Sequence, residues 1–258
     1  MNYATLQNTY ICYKVVCMAD ALVIIPTYNE IENIDRLVRN VFALQRPFHI
    51  LVVDDNSPDG TAKAVGAIKE DFPDQLFLLS REGKQGLGTA YIDGFKWALN
   101  REYTFIFEMD ADFSHNPNDL IRLYNACAKN DADLAIGSRY VTGVNVVNWP
   151  MGRVLLSWGA SKYVRLITGM RIHDTTAGFV CYHREILQAI DIDSIQFVGY
   201  AFQIEMKYKA YRKGFNIVEV PVVFTDRTKG ESKMSKGIIS EAIFGIIKMR
   251  LQSLFIKD

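Results

Sequence analysis

The sequence predicts an α/β domain: a mostly parallel sheet with helices on both faces, followed by an amphipathic helical annex at the C-terminus. Three features of the chain point there. Short, continuous apolar runs alternate with amphipathic stretches between residues 21 and 140, which is how strands buried on both faces and their crossover helices read. The runs are rich in valine, isoleucine, leucine and phenylalanine, and most are closed by Pro, Asp or Gly-Ser, residues that favour turns. The chain has 258 residues, 49% of them hydrophobic, enough for one large core.

The elements follow in order. "ALVIIP" (21–26) reads as the first strand, and "NEIENIDRLVRNVFAL" (29–44) as the first helix, with Ile31, Ile34, Leu37, Val38 and Val41 at helical spacing. "HILVVDD" and "LFLLSR" are the second and third strands, separated by the helix "SPDGTAKAVGAIKEDF" with its Ser-Pro start. "GTAYIDGFKWALN" is the third helix, "YTFIFEMD" the fourth strand, "NPNDLIRLYNACAK" the fourth helix and "ADLAIGSRY" the fifth strand. From residue 143 the pattern changes. "WPMGRVLLSWGASKYVRLITGM" (149–170) is an apolar helix carrying Arg153, Lys162 and Arg165. The run "HDTTAGFVCYHREIL" stays unassigned, "YAFQIEMKYKAYRKG" reads as a helix and "FNIVEVPVVF" as a strand. The tail has apolar residues at 239, 242, 243, 246, 247, 251, 254 and 255, an amphipathic pattern. The expected organisation is a disordered extension over 1–19, with Met18 as the natural start, a catalytic domain over 20–235 and an amphipathic helix over 236–258.

Composition narrows the function. Lys plus Arg equals Asp plus Glu at 29 each, so no bulk charge draws the chain to nucleic acid. Cys12, Cys17, Cys127 and Cys181 form no C-x-x-C pair and match no zinc spacing, as expected of reduced cytosolic thiols. No apolar stretch approaches the ~18 residues a membrane span needs, and the first twenty residues make a poor signal peptide.

Ligands of open α/β sheets bind beyond the carboxyl ends of the strands. Polar and acidic residues gather at those ends: Pro26 to Glu30, Asp54 to Asn56, "REGKQGLGTA", Asp110-Ala111-Asp112 and "GSRY". Taken singly, Asn29, Asp55, Ser57 and Asn116 suit helix caps or turns. Asp110 and Asp112 are different. Period-two spacing puts both carboxylates on one side of an extended segment, where they repel unless a cation sits between them. Mg²⁺ or Mn²⁺ suits such oxygens and is usually completed by substrate phosphates. On a helix, Arg153 and Ser157 face the same way, and a guanidinium with a hydroxyl makes a phosphate site. "DRTKGESKMSK" (226–236) sets Arg227, Lys229, Lys233 and Lys236 among Gly and Ser, the composition of a solvated loop and equally of a phosphate-covering lid.

The motifs "VIIPTYNE", "VVDDNSPDGT", "GLGTAYIDGF", "MDADFSHNP", "IGSRYV", "HDTTAGF" and "VPVVFTDRTKGESKMS" closely resemble dolichol-phosphate (polyprenol-phosphate) mannose synthases, inverting nucleotide-sugar glycosyltransferases with the GT-A fold. The resemblance spans about residues 20 to 250. It implies metal-dependent transfer of mannose from GDP-mannose to a polyprenyl monophosphate by a peripheral enzyme at the cytoplasmic face of a membrane. It places Pro26, Tyr28 and Glu30 along the nucleotide, and Val53 and Asp55 at the base and ribose. Asp110, Ala111 and Asp112 take the diphosphate and metal, and Ser114 stands where some relatives carry a further metal ligand. Arg139, Arg153 and Ser157 receive the lipid phosphate, with Arg139 also facing the donor, while Arg227 and Lys233 close over the donor diphosphate. His115 is expected in a turn; Asp174 either orients a substrate or caps a helix, and His173 is left without a role. Some relatives depend on a small membrane subunit, an open partner question for this chain. Two other readings stay open: the same fold acting with UDP-glucose or another nucleotide sugar, and a nucleotide-sugar-binding protein without turnover.

Overall fold

The computed structural model describes residues 19–199, 201–226 and 236–255. The expected extension over 1–19 lies almost wholly outside them. Five strands alternate with four helices: β1 (Ala21–Thr27), α1 (Ile34–Phe42), β2 (His49–Asp54), α2 (Thr61–Asp71), β3 (Leu76–Ser80), α3 (Leu87–Leu99), β4 (Phe105–Glu108), α4 (Asp119–Lys129) and β5 (Leu134–Ser138). Then come β6 (Val146–Val147), α5 (Met151–Thr168), β7 (Val180–His183), α6 (Arg184–Ala189), a 3₁₀ turn (Ile192–Ser194), α7 (Ala201–Arg212), β8 (Ile217–Pro221), β9 (Phe224–Thr225) and α8 (Lys236–Phe255).

The main sheet has seven strands in the order β3-β2-β1-β4-β7-β5-β8, and β6 and β9 form a separate pair. β1 lies parallel to both β2 and β4, and β5 parallel to β8. β7 inserts antiparallel between β4 and β5, with Glu108 opposite Val180. This is the run the sequence leaves unassigned: four residues cannot show a period that separates strand from turn. The side chains of β1 divide by pleat. Leu22 and Ile24 enter one hydrophobic cluster with α3, α7 and part of α5 and α8; Val23 and Ile25 enter the other with α1, α2 and α4.

The first two helices start later than their periodicity suggests. Asn29, Asn56 and Gly60 have φ of 60°, 55° and 91°, left-handed values that stop a right-handed helix. The residues before Ile34 and Thr61 are therefore turns at the strand ends. The direction of the chain reverses across the sheet between β1 and β4, because β2 and β3 build outward on one side and the chain then crosses to the other. That switch point is where a crevice opens in such sheets, and Asp110 and Asp112 follow β4 into it.

Candidate active site

Ala111 is buried in the core, whereas Asp110 and Asp112 are half-buried and line a cavity of about 540 Å³. The alternation expected of an extended segment is therefore present. Phe113 then takes φ of 62°, an unusual value for a bulky residue, and turns the chain. Asp112 Oδ1 accepts from the Ser114 amide at 3.0 Å, and Tyr91 donates to Asp110 Oδ1 at 3.5 Å.

His115 is more than a turn residue. Its Nδ1 accepts the Asp110 amide at 3.1 Å, its ring stacks on Phe179 at 4.7 Å, and it is buried. A backbone donor at Nδ1 leaves the proton on Nε2, which lies 3.9 Å from Asp110 Oδ2. Burial lowers its pKa to about 4, so the ring is neutral and holds the acidic loop in shape. Ser114 Oγ is buried, its residue lines the same cavity as Asp110 and Asp112, and it has no hydrogen-bond partner among the described residues. Two carboxylates with one unpartnered hydroxyl fit a hard divalent cation whose remaining ligands come from substrate phosphates. No group of three or more His, Cys, Asp or Glu among the described residues could hold a metal alone.

The far half of the cavity is cationic and aromatic. Arg139 donates from Nε and Nη2 to Asp174 at 2.6 Å each, and from Nη2 to Thr176 at 2.8 Å. Its guanidinium carbon lies 5.2–5.5 Å from the rings of Tyr140, Trp149 and Phe224. Asp174 is thus neither a substrate ligand nor a helix cap. It is fully buried, and its own amide donates to Glu219 Oε1 at 2.9 Å. His173 is tied to the same carboxylate, its amide and Nδ1 each 2.7 Å from Glu219 Oε2. Glu219 therefore holds the turn that holds Arg139. Burial opposes ionisation of Asp174, but the Arg139 charge and hydrogen bonds outweigh it and keep the carboxyl below its ordinary range. The stabilisation is complete above about pH 4 and is lost as pH falls through the depressed value. Asp174→Asn leaves Arg139 buried without its counter-ion and is expected to cost about 3–5 kcal/mol, measured by chemical denaturation.

Arg153, on α5, donates to Asp226 Oδ1 at 2.7 Å and lies 4.0 Å over the Trp149 ring. Ser157 lines the cavity one turn on. The Trp149 indole Nε1 is buried with no acceptor, a further donor beside two guanidinium groups. Beyond Ser157 the cavity continues between α5 and α8, walled by Leu155, Leu156, Tyr163, Ile243 and Ile246.

The nucleotide-side residues lie outside this cavity. Pro26 near the end of β1, and Tyr28 and Glu30 just after it, are half-buried, and Lys84 stands 4.8 Å over the Tyr28 ring. Asp55 is buried against Arg81 at 2.6 Å, and Arg81 also pairs with Asp93 at 3.0 Å. Val53 differs from the expectation: it is fully buried in the core, because the sheet is covered on both faces and β2 residues of either parity pack into a hydrophobic cluster. Its side chain cannot line a base. Arg227 and Lys233 lie outside the described residues.

The sequence of residues 22–191 matches the family model for glycosyl transferase family 2. The chain belongs to glycosyl transferase family 2. Within that family it is 49% identical over 225 residues to polyprenol monophosphomannose synthase of Mycolicibacterium smegmatis, covering 87% of this chain and 84% of the relative. It is 45% identical over 230 residues to undecaprenyl-phosphate mannosyltransferase of Micrococcus luteus, covering 89% and 93%. The crystal structure of glucosyl-3-phosphoglycerate synthase from Mycobacterium tuberculosis with Mn²⁺, UDP and phosphoglyceric acid shares the fold, with a TM-score of 0.65 at 16% identity over 92% of this chain and 79% of that one. The mostly parallel sheet flanked by helices is thus the GT-A fold of this glycosyltransferase family.

Proposed function

We propose that this chain transfers mannose from GDP-mannose to the phosphate of a polyprenyl monophosphate, inverting the anomeric centre. The observation that carries the reading is a single cavity that joins an acidic sheet edge to Arg153 and Ser157 and then to an apolar groove. Its carboxylates among the described lining residues are Asp110 and Asp112, both at the acidic edge. His115 is buried, and its Nδ1 is committed to the Asp110 amide. The carboxylate beside Arg153, Asp226, is ion-paired to it at 2.7 Å, and no described lining residue of the acceptor half is a carboxylate. A lipid phosphate needs no general base, since it is already an anion at neutral pH. Both curated relatives are named for mannosyl transfer to a polyprenyl phosphate.

The chemistry is one displacement. A phosphate oxygen attacks the anomeric carbon, the bond from that carbon to the diphosphate oxygen breaks, and its electron pair leaves with GDP. Arg153 and Ser157 hold the attacking phosphate, so that most of the rate comes from positioning and charge complementarity. Trp149 covers one face of the Arg153 guanidinium. Asp110, Asp112 and Ser114 would hold Mg²⁺ or Mn²⁺, which neutralises charge on the departing diphosphate. A donor screen tests the reading: GDP-mannose is expected to be used far better than UDP-glucose, and preference for UDP-glucose would point to a different member of the family.

The groove also sets where the enzyme works. Met151, Leu155, Leu156, Trp158 and Leu166 on α5 are exposed, Leu166 at 82%, as are Ile243, Phe244, Ile247 and Leu251 on α8. No helix among the described residues is long and apolar enough to cross a membrane. Exposed apolar faces with Lys162, Arg165, Lys248 and Arg250 among them suit helices lying in the headgroup region. The proposed location is peripheral, at the cytoplasmic face of a membrane. The chain is expected to float with anionic liposomes and to release partly at high salt, as screening requires. Recovery wholly in the pellet fraction, free of lipid, would contradict this.

A further inference from the structure

Beneath the cavity lies a polar cluster that no step above uses. Glu108 and Lys207 are both fully buried, on β4 and α7. Gln203 stands between them. Its Nε2 donates to Glu108 Oε2 at 2.6 Å, and its Oε1 accepts from Lys207 Nζ at 3.2 Å. Lys207 also donates to the carbonyls of Ala177 at 2.6 Å and of Gln203 at 3.1 Å, and Tyr182 donates to Glu108 at 3.3 Å. An ammonium can only donate, so Lys207 fixes which end of the amide is oxygen. Gln203 therefore cannot flip.

Such a cluster is costly. Burial pushes the Glu108 carboxyl up and the Lys207 ammonium down, and a buried pair of this kind is often no more stable than apolar residues of the same volume. Its product is an amide of fixed orientation on the wall of the cavity. Gly178 lies on the same wall, and a Cβ there would sit 3.7 Å from Gln203 Nε2. The φ of Gly178 is not in the left-handed region, so its backbone does not require glycine. What the missing side chain provides is access to the amide. Glu108 precedes Asp110 by two residues, a rise of about 7 Å along an extended chain, so the amide stands next to the diphosphate end of the cavity.

We infer that Gln203 reads a hydroxyl of the donor hexosyl group, with Glu108 and Lys207 as positioning residues and Gly178 as the opening through which the sugar reaches it. One Nε2 hydrogen and one Oε1 lone pair remain for that contact. The inference rests on the donor being a nucleotide sugar bound at Asp110 and Asp112, as proposed above, and it names the residue that distinguishes one hexose from another.

The test uses the purified full chain and measures affinity for GDP, GDP-mannose and its monodeoxy-mannosyl analogues, with transfer to polyprenyl phosphate as a separate arm. Gln203→Met is expected to leave GDP affinity within about 2-fold and to lower kcat/KM for GDP-mannose about 10- to 100-fold, the scale of one lost sugar hydrogen bond. One deoxy donor is expected to be poor for the native chain and no poorer than GDP-mannose for the variant, a signature that a packing role alone does not produce. Gly178→Ala places a Cβ in ordinary van der Waals contact with the Gln203 amide and leaves Glu108 and Lys207 themselves unaltered. It is expected to keep the native thermal transition and show the same loss, which holds the test open if Gln203→Met folds badly. Unchanged affinity for every deoxy donor in both variants, or equal weakening of GDP and GDP-mannose, overturns the inference. Absence of transfer to polyprenyl phosphate with the donor pattern intact would sink the acceptor reading alone.

Discussion

Asp112→Asn is expected to lower turnover by about 10²- to 10³-fold, the scale of one electrostatic stabiliser lost from a transition state. The residue is half-buried at the cavity edge, and its Oδ1 accepts the Ser114 amide. The fold should therefore survive, with a near-native thermal transition and near-native affinity for the apolar groove. The loss should fall on kcat, because charge on the departing diphosphate grows as the bond breaks. Chelation of divalent cations by EDTA should silence the native enzyme, and Mg²⁺ or Mn²⁺ should restore it. Full activity in EDTA would remove the metal from the account.

Arg153→Ala is expected to abolish most transfer while leaving GDP-mannose binding intact. Arg139 already spends two edges of its guanidinium on Asp174 and Thr176, so its charge is neutralised within the fold. Arg153 bonds Asp226 through Nη1 alone and keeps its other donors for a ligand. Its removal should raise the KM for polyprenyl phosphate and cut kcat/KM by about 10²-fold or more, the cost of a charge-assisted contact at a desolvated site. Arg153→Lys should recover only part, since an ammonium lacks the planar fork. Steady-state kinetics with each substrate varied in turn separates these effects. A rise in the KM for GDP-mannose instead would move Arg153 to the donor side.

What the sequence makes legible follows from distance along the chain. Asp110 and Asp112 can be read because a period of two is local, and Arg153 with Ser157 because four residues make one helical turn. Asp174 cannot be read correctly, since its partner Arg139 is 35 residues away and Glu219 is 45 away on another strand. Gln203 and Glu108 are 95 residues apart, and in the sequence Gln203 is one of several polar residues on α7, among Glu205, Lys207 and Lys209. The strand β7 is hidden for a related reason, because an antiparallel insertion between β4 and β5 is decided by pairing rather than by composition. Val53 shows the opposite error. Its position at a strand end suggests a ligand contact, but the pleat turns its side chain into the core.

The central claim is that the acceptor is a pre-ionised lipid phosphate. It is tested most directly by offering the purified chain, with GDP-mannose and a divalent cation, either polyprenyl monophosphate or the parent polyprenol, and following mannose into the lipid fraction. The expected result is mannosyl lipid from the phosphate alone, with a rate that rises through about pH 6 and levels off above about pH 7, where the phosphate is mostly dianionic. Equal or faster transfer to the polyprenol, or to a soluble sugar alcohol, would contradict it and require a general base at the acceptor oxygen.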